Sequence, residues 1–262
     1  MTWLRRIGVW VVGCHVLLAF AVPLLGLQST SAQEAGAVLE GVSSRHWLGT
    51  DHLGRDLLAR TLWGGRPSIG VALAAVMGAA VLGVLIGMVA ALAGGWVDDV
   101  LTRANDVLLA LPSLLVLMLV ASFVGRETSV LVLTLAVMYA PPIARVVRGA
   151  SMSVLARDFV LAARLRGAGP AELVAGEVLP NIRRVLLTEV GMQFSWILLA
   201  FSSLSFLGLG SAPPTAEWGL MIAEGREFMT INPLPVVAPV VMLASLVLAV
   251  SSLVDRSGGE AT

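Results

Sequence analysis

Long stretches without a single Asp, Glu, Lys or Arg alternate along the chain with short segments that carry every charge. The uncharged windows run over residues 7–33, 67–97, 107–125, 128–144, 190–216 and 228–254, with lengths of 27, 31, 19, 17, 27 and 27 residues. A helix needs about 20 apolar residues to cross the hydrocarbon core of a bilayer. Five windows reach that length, and 128–144 reaches it once Arg145 is allowed to snorkel to the interface. None shows the alternating pattern of a membrane barrel, and backbone inside a bilayer must be hydrogen-bonded internally. The pattern therefore predicts an all-α, polytopic membrane protein with six transmembrane helices.

The windows divide the chain into an N-terminal helix (1–27), an outer loop (28–66), a transmembrane core (67–254) that includes an inner loop (149–181), and a tail (255–262). Arg5 and Arg6 followed by an apolar run also fit a cleaved signal peptide ending near Thr30-Ser31-Ala32. The core Ile7 to Leu27 is longer than such segments use, which favours an uncleaved helix. Within the outer loop, Leu53, Leu57 and Leu58 share a helical face opposite Arg55 and Asp56. That spacing suits an amphipathic helix at the membrane surface, or an ordinary loop whose leucines pack on the bundle.

In the inner loop, Ser151 to Arg166 reads as a helix, and Gly167-Ala168-Gly169-Pro170 ends it. Gly favours the position just past a helix and Pro the first position of the next, so a second short helix is predicted from Pro170 to about Val178, broken again at Pro180-Asn181. The result is a helix–turn–helix. By composition alone it is a solvated connector whose Arg residues fix topology, or a small-residue surface that a partner's groove could approach.

Charge sharpens the picture. Only 13% of the 262 residues are charged, against about 25% in ordinary soluble domains. The 17 basic residues are all Arg and balance 17 acidic ones. A zero net charge gives no basic face for a nucleic-acid partner, and the absence of Lys excludes a P-loop and a Schiff-base site. One Cys and three His are too few and scattered for a zinc site or a disulfide framework. With both termini placed in the cytoplasm, 11 Arg fall inside and 6 outside, which is the sense of the positive-inside bias.

The inner segment Arg157-Asp158-Phe159, Ala162-Ala163, Gly167 and Leu179-Pro180-Asn181 is similar, in order and spacing, to the EAA motif of the inner-membrane permease subunits of ABC importers. The resemblance is to the second permease of the dipeptide, oligopeptide and nickel importer family. Leu161 stands where that motif has Glu. Leu48-Gly49-Thr50-Asp51 with Leu53-Gly54-Arg55-Asp56, then Gly94-Gly95-Trp96-Val97-Asp98, then Ser203 to Gly210, Pro213-Pro214, Trp218-Gly219 and Ala223-Glu224-Gly225-Arg226 resemble further family segments in the same order.

The resemblance implies a permease of the bacterial cytoplasmic membrane, not an enzyme itself. It would form half of a translocation pathway for peptides or similar small solutes, metal chelates among them. Its implied partners are a second permease subunit in a heterodimer, one or two cytoplasmic ATPase subunits, an extracytoplasmic solute-binding protein and membrane lipid. No cofactor belongs to the chain itself; ATP and Mg belong to the ATPase subunits. The ATPase-docking residues implied are Asp158, Leu161, Ala162, Ala163, Arg164, Gly167 and Ala168; the loss of the Glu at Leu161 either weakens docking or is made good by Asp158 one helical turn earlier.

Polar residues of the fifth window, Gln193, Ser195, Ser202 and Ser203, with Ser205, are candidates to line the pathway, although Ser in membrane helices often bonds back to its own backbone. Gly83 and Gly87, four apart, would allow close helix approach, or are ordinary apolar-helix composition. An ion-coupled secondary transporter or channel is the alternative function. It would be expected to place ionisable relays mid-membrane, where only His15 lies. An intramembrane enzyme would need a nucleophile–base pair, and the side chains of adjacent Cys14 and His15 diverge by about 100° on a helix.

Overall fold

The computed structural model describes residues 3–21, 32–34 and 36–254. All of its regular elements are helical. Helix α1 spans Trp3–Ala21, α2 Leu57–Ala93, α3 Gly95–Ala110, α4 Ser113–Phe123, α5 Thr128–Leu155 and α6 Asp158–Leu165. Then α7, Pro170–Glu172, runs through a π-helical turn at Leu173–Val178 into α8, Leu179–Phe206, followed by α9, Trp218–Gly225, and α10, Leu234–Val254.

Among the described residues, four helices are long and apolar enough to cross a membrane: Leu57–Ala93, Thr128–Leu155, Pro170–Phe206 and Leu234–Val254. The third window is not one straight span. α3 and α4 meet at 81°, and counting this bent pair as one span gives five. The cause is Pro112, which lacks an N–H and pushes Leu111 into extended backbone (ψ 130°). The apolar part of α1, Arg6–Ala21, is shorter than a span, and residues 22–31 of the first window lie outside the described residues. The tail 255–262 lies outside them too.

Two further expectations are corrected. Residues 51–56 form a turn rather than a helix. Asp51 Oδ1 accepts hydrogen bonds from the backbone N–H of Leu53 (2.9 Å) and Arg55 (3.0 Å), and Gly54 takes φ +71°. Side-chain capture of backbone donors competes with helix formation. Asp56 then caps α2 by accepting from Ala59 N at 2.7 Å. At the other site, Pro180 does not break the chain. The π turn absorbs the missing donor, so 170–206 is one continuous helix.

The α2–α5 pair forms the spine of the bundle. A Cβ placed on Gly83 would lie 2.7 Å from Ile143 Cβ and 2.9 Å from the Ala140 carbonyl oxygen; on Gly87 it would lie 2.6 Å from the Ala144 carbonyl oxygen. The absence of side chains at these positions is what lets the two backbones meet, the small-residue packing of membrane helices. One apolar core joins Ala72, Ala75, Leu135, Leu198 and Phe201 with Trp218 of α9, which folds back into the bundle.

Candidate functional site

The inner element is built from local rules. α5 stops at Leu155, and Arg157 (ψ 148°) turns the chain into α6, so the predicted helix 151–166 is two helices meeting at Ala156. Asp158 in the first turn and Arg164 in the last complement the helix dipole. The end of α6 is a Schellman cap: Ala168 N donates to Ala163 O (3.1 Å) and Gly167 N to Arg164 O (2.9 Å). Gly167 has φ +90°, the left-handed region that a Cβ disfavours, which accounts for Gly at this position.

Val160 and Ala163 are buried against Leu173, Val154, Leu155 and Ala168. This small core fixes α6 to the last turn of α5 and to the π turn leading into α8. On the other face Asp158, Ala162, Arg164 and Gly167 are exposed, as are Leu161 (58%) and Leu165 (82%). Of the docking residues read from the sequence, five are therefore exposed, Ala168 is half-buried, and Ala163 faces inward as support. Sequence reasoning missed Leu165, which extends the exposed apolar surface one turn beyond Leu161; its i,i+4 spacing from Leu161 was the available signal.

On α8 the structure separates the polar residues. Gln193, Ser195 and Ser202 are buried within the chain. Gln193 Nε2 donates to Glu189 Oε1 (2.6 Å) and Ser195 Oγ to Gly191 O (3.5 Å). Ser203 is exposed but its hydroxyl donates back to Leu199 O (2.7 Å). Met192, Trp196, Leu199 and Ser203 make the stripe of α8 left open by the fold. On α1, His15 is buried, with Nδ1 donating to Val11 O (2.8 Å) and Nε2 3.2 Å from Ser245 Oγ, whereas Cys14 is exposed.

The opposite end of the bundle holds charges that the sequence leaves unconnected. Arg55 pairs with Asp51 (2.6 Å) and Glu224 (2.9 Å), and Arg60 with Glu224 (2.8 Å) and Asp51 (3.3 Å). Both guanidinium groups are almost fully buried, and the four groups close a neutral ring that ties the outer turn to α9. Glu217, also fully buried, caps α9 by accepting from Gly219 N and Leu220 N (both 2.9 Å) and from Ser68 Oγ of α2 (2.9 Å). Burial pushes its carboxyl above the ordinary range, and these donors oppose the shift.

A bundle of membrane-length helices with a capped helical element at one end and a buried ionic ring at the other is the class of polytopic membrane protein that the fold defines. The chain belongs to the binding-protein-dependent transport system inner membrane component family, whose profile matches residues 83–258. It is 30% identical to the dipeptide transport system permease protein DppC of Alkalihalophilus pseudofirmus, over 96% of this chain and 83% of that one. It is 39% identical to the di/tripeptide transport system permease protein DppC of Pseudomonas aeruginosa, over 73% of this chain and 63% of that one. To the glutathione transport system permease protein GsiD of Pectobacterium atrosepticum it is 32% identical, over 97% of this chain and 86% of that one. The chain is thus a permease subunit of a binding-protein-dependent ABC importer, in which ATP is hydrolysed by separate subunits.

Proposed function

We propose that this chain is one half of a heterodimeric permease for short peptides or chemically similar solutes, with α6 as the element that docks on a cytoplasmic ATPase subunit. The observation that carries this reading is the construction of α6. It is held on its own small core between the ends of α5 and α8, and it exposes Asp158, Leu161, Ala162, Arg164 and Leu165 on one face. A helix mounted in this way moves with its neighbours as a body. ATP and Mg bound by the ATPase subunits would close those subunits, and displacement of α6 would pass directly into α5 and α8.

The glycine-mediated contact of α2 with α5 then carries the displacement to the ionic ring and α9 at the far end. Alternating access follows if partner closure favours one of two packings of the bundle. In this arrangement α6 and both termini lie in the cytoplasm, and residues 36–56 and 207–233 face the solute-binding protein. Pathway lining falls to Ser203 and the open α8 stripe rather than to the inward-facing Gln193, Ser195 and Ser202, and the second permease completes the conduit. The peptide reading draws on the peptide and glutathione permeases named above.

Purification of the tagged chain in mild detergent tests the assembly. The expected result is co-purification of a second permease and one or two ATPase subunits. A homo-oligomer without ATPase, with uptake driven by an ion gradient, would instead favour a secondary transporter or channel.

A further inference from the structure

The six arginines at the end of the bundle opposite α6 divide into two groups. Arg45 pairs with Glu34 (3.1 Å), Arg55 and Arg60 sit in the ionic ring, and the Arg226 guanidinium lies over the Phe206 ring at 5.5 Å. Arg66 and Arg126 are the two with neither a carboxylate partner nor an aromatic ring beneath them among the described residues, and they line adjoining parts of one groove. A cavity of about 420 Å³ is lined by Gly70, Arg126, Thr128 and Ser211, and an adjoining one of about 390 Å³ by Trp63 and Arg66; Pro67 and Thr215 belong to both. Among the described residues, no Asp or Glu lines either cavity.

The walls are fixed. Arg126 Nη1 donates to Gly208 O (2.8 Å), which holds the guanidinium beside the loop and leaves its other N–H groups free. Ser211 N donates to Ser205 Oγ (3.2 Å), and Glu217 pins the following residues to α2 through Ser68. Gly70 places no side chain in the groove. Cations beside low-dielectric walls concentrate anions locally, and guanidinium groups bind carboxylates through charge-assisted hydrogen bonds. The volumes fall in the range of small-molecule sites, about 300–1,000 Å³. Hydroxyl groups of Thr128, Ser211 and Thr215 suit a hydrated solute better than a lipid chain.

We infer that this groove is an entry subsite at the outer mouth that takes the carboxylate of the passing solute, with Arg126 and Arg66 supplying the charge. For a short peptide, the substrate class of the reading above on which this step rests, the group held is the terminal carboxylate, while Trp63 and Pro67 offer apolar surface to a side chain.

The test uses the assembled complex in phosphatidylcholine vesicles, with Cys14→Ala and a single reporter, Thr215→Cys. Anionic sulfonatoethyl methanethiosulfonate should modify the reporter about tenfold faster than the cationic trimethylammonium reagent. Arg66→Gln with Arg126→Gln should abolish that preference, and Arg66→Lys with Arg126→Lys should keep most of it. Acetate should slow labelling and acetamide should not. A preference indifferent to the arginines, equal protection by acetate and acetamide, or protection only when phosphatidylglycerol replaces part of the phosphatidylcholine would each overturn the subsite. Dialanine against dialanine amide reads the substrate class separately. Protection by acetate but not by dialanine would leave the carboxylate subsite standing and refute the peptide reading.

Discussion

Replacing Glu224 by Gln removes one negative charge from the ionic ring while keeping the side chain's shape. Arg55 and Arg60 are each about 1% exposed, and Glu224 accepts from both at 2.9 and 2.8 Å. The substitution leaves two buried guanidinium groups sharing Asp51 alone. Removing one partner of a buried charge pair costs about 3–5 kcal/mol, because the remaining ion is left without compensation. The side chain of Glu224 is 16% exposed, so water reaches it and the lower end of that range applies, about 3 kcal/mol. At about 2–4 °C per kcal/mol, the midpoint of thermal unfolding in detergent should fall by about 6–12 °C. Glu227→Gln, on the exposed turn next to α9, should move it by less than about 2 °C. Equal shifts for the two variants, or none for Glu224→Gln, would refute the claim that the ring holds the outer turn to α9.

Gly87→Val should destabilise the bundle by about 1–3 kcal/mol through overpacking against the Ala144 carbonyl and Val147, while Gly176→Ala, where nothing lies within 4 Å of the added Cβ, should be near neutral; unfolding midpoints compare them. Glu217→Ala removes the α9 cap and should cost about 1–2 kcal/mol, with amide exchange rising first at Gly219 and Leu220. Leu161→Ala with Leu165→Ala should leave the unfolding midpoint unchanged, since both side chains are exposed, and should lower the amount of ATPase subunit retained on purification.

Periodicity and charge made the spans of α2, α5, α8 and α10 legible, because membrane helices bury apolar residues on every face and collect charge at their ends. The third window misled because hydropathy is blind to the single Pro112 that bends it by 81°. The turn at 51–56 misled because a leucine pattern suited to a helix competes there with Asp51, whose carboxylate captures two backbone donors. At the inner element Gly167 marked the helix end correctly, since only a residue tolerant of positive φ closes that cap. The ionic ring was not legible: Arg55 and Glu224 are 169 positions apart, and local pattern holds no record of such a pairing. Burial of Gln193, Ser195 and Ser202 was also hidden, because polarity marks a residue as special without saying which side of a helix it occupies.

In the proposed importer α6 meets the ATPase. A photo-reactive amino acid in place of Leu165, in the assembled importer, tests it most directly. Cross-linking to an ATPase subunit, with a yield that changes between the ATP-free and ATP-bound complex, is the result predicted. Cross-links only to lipid or to the second permease, unchanged by ATP, would contradict it.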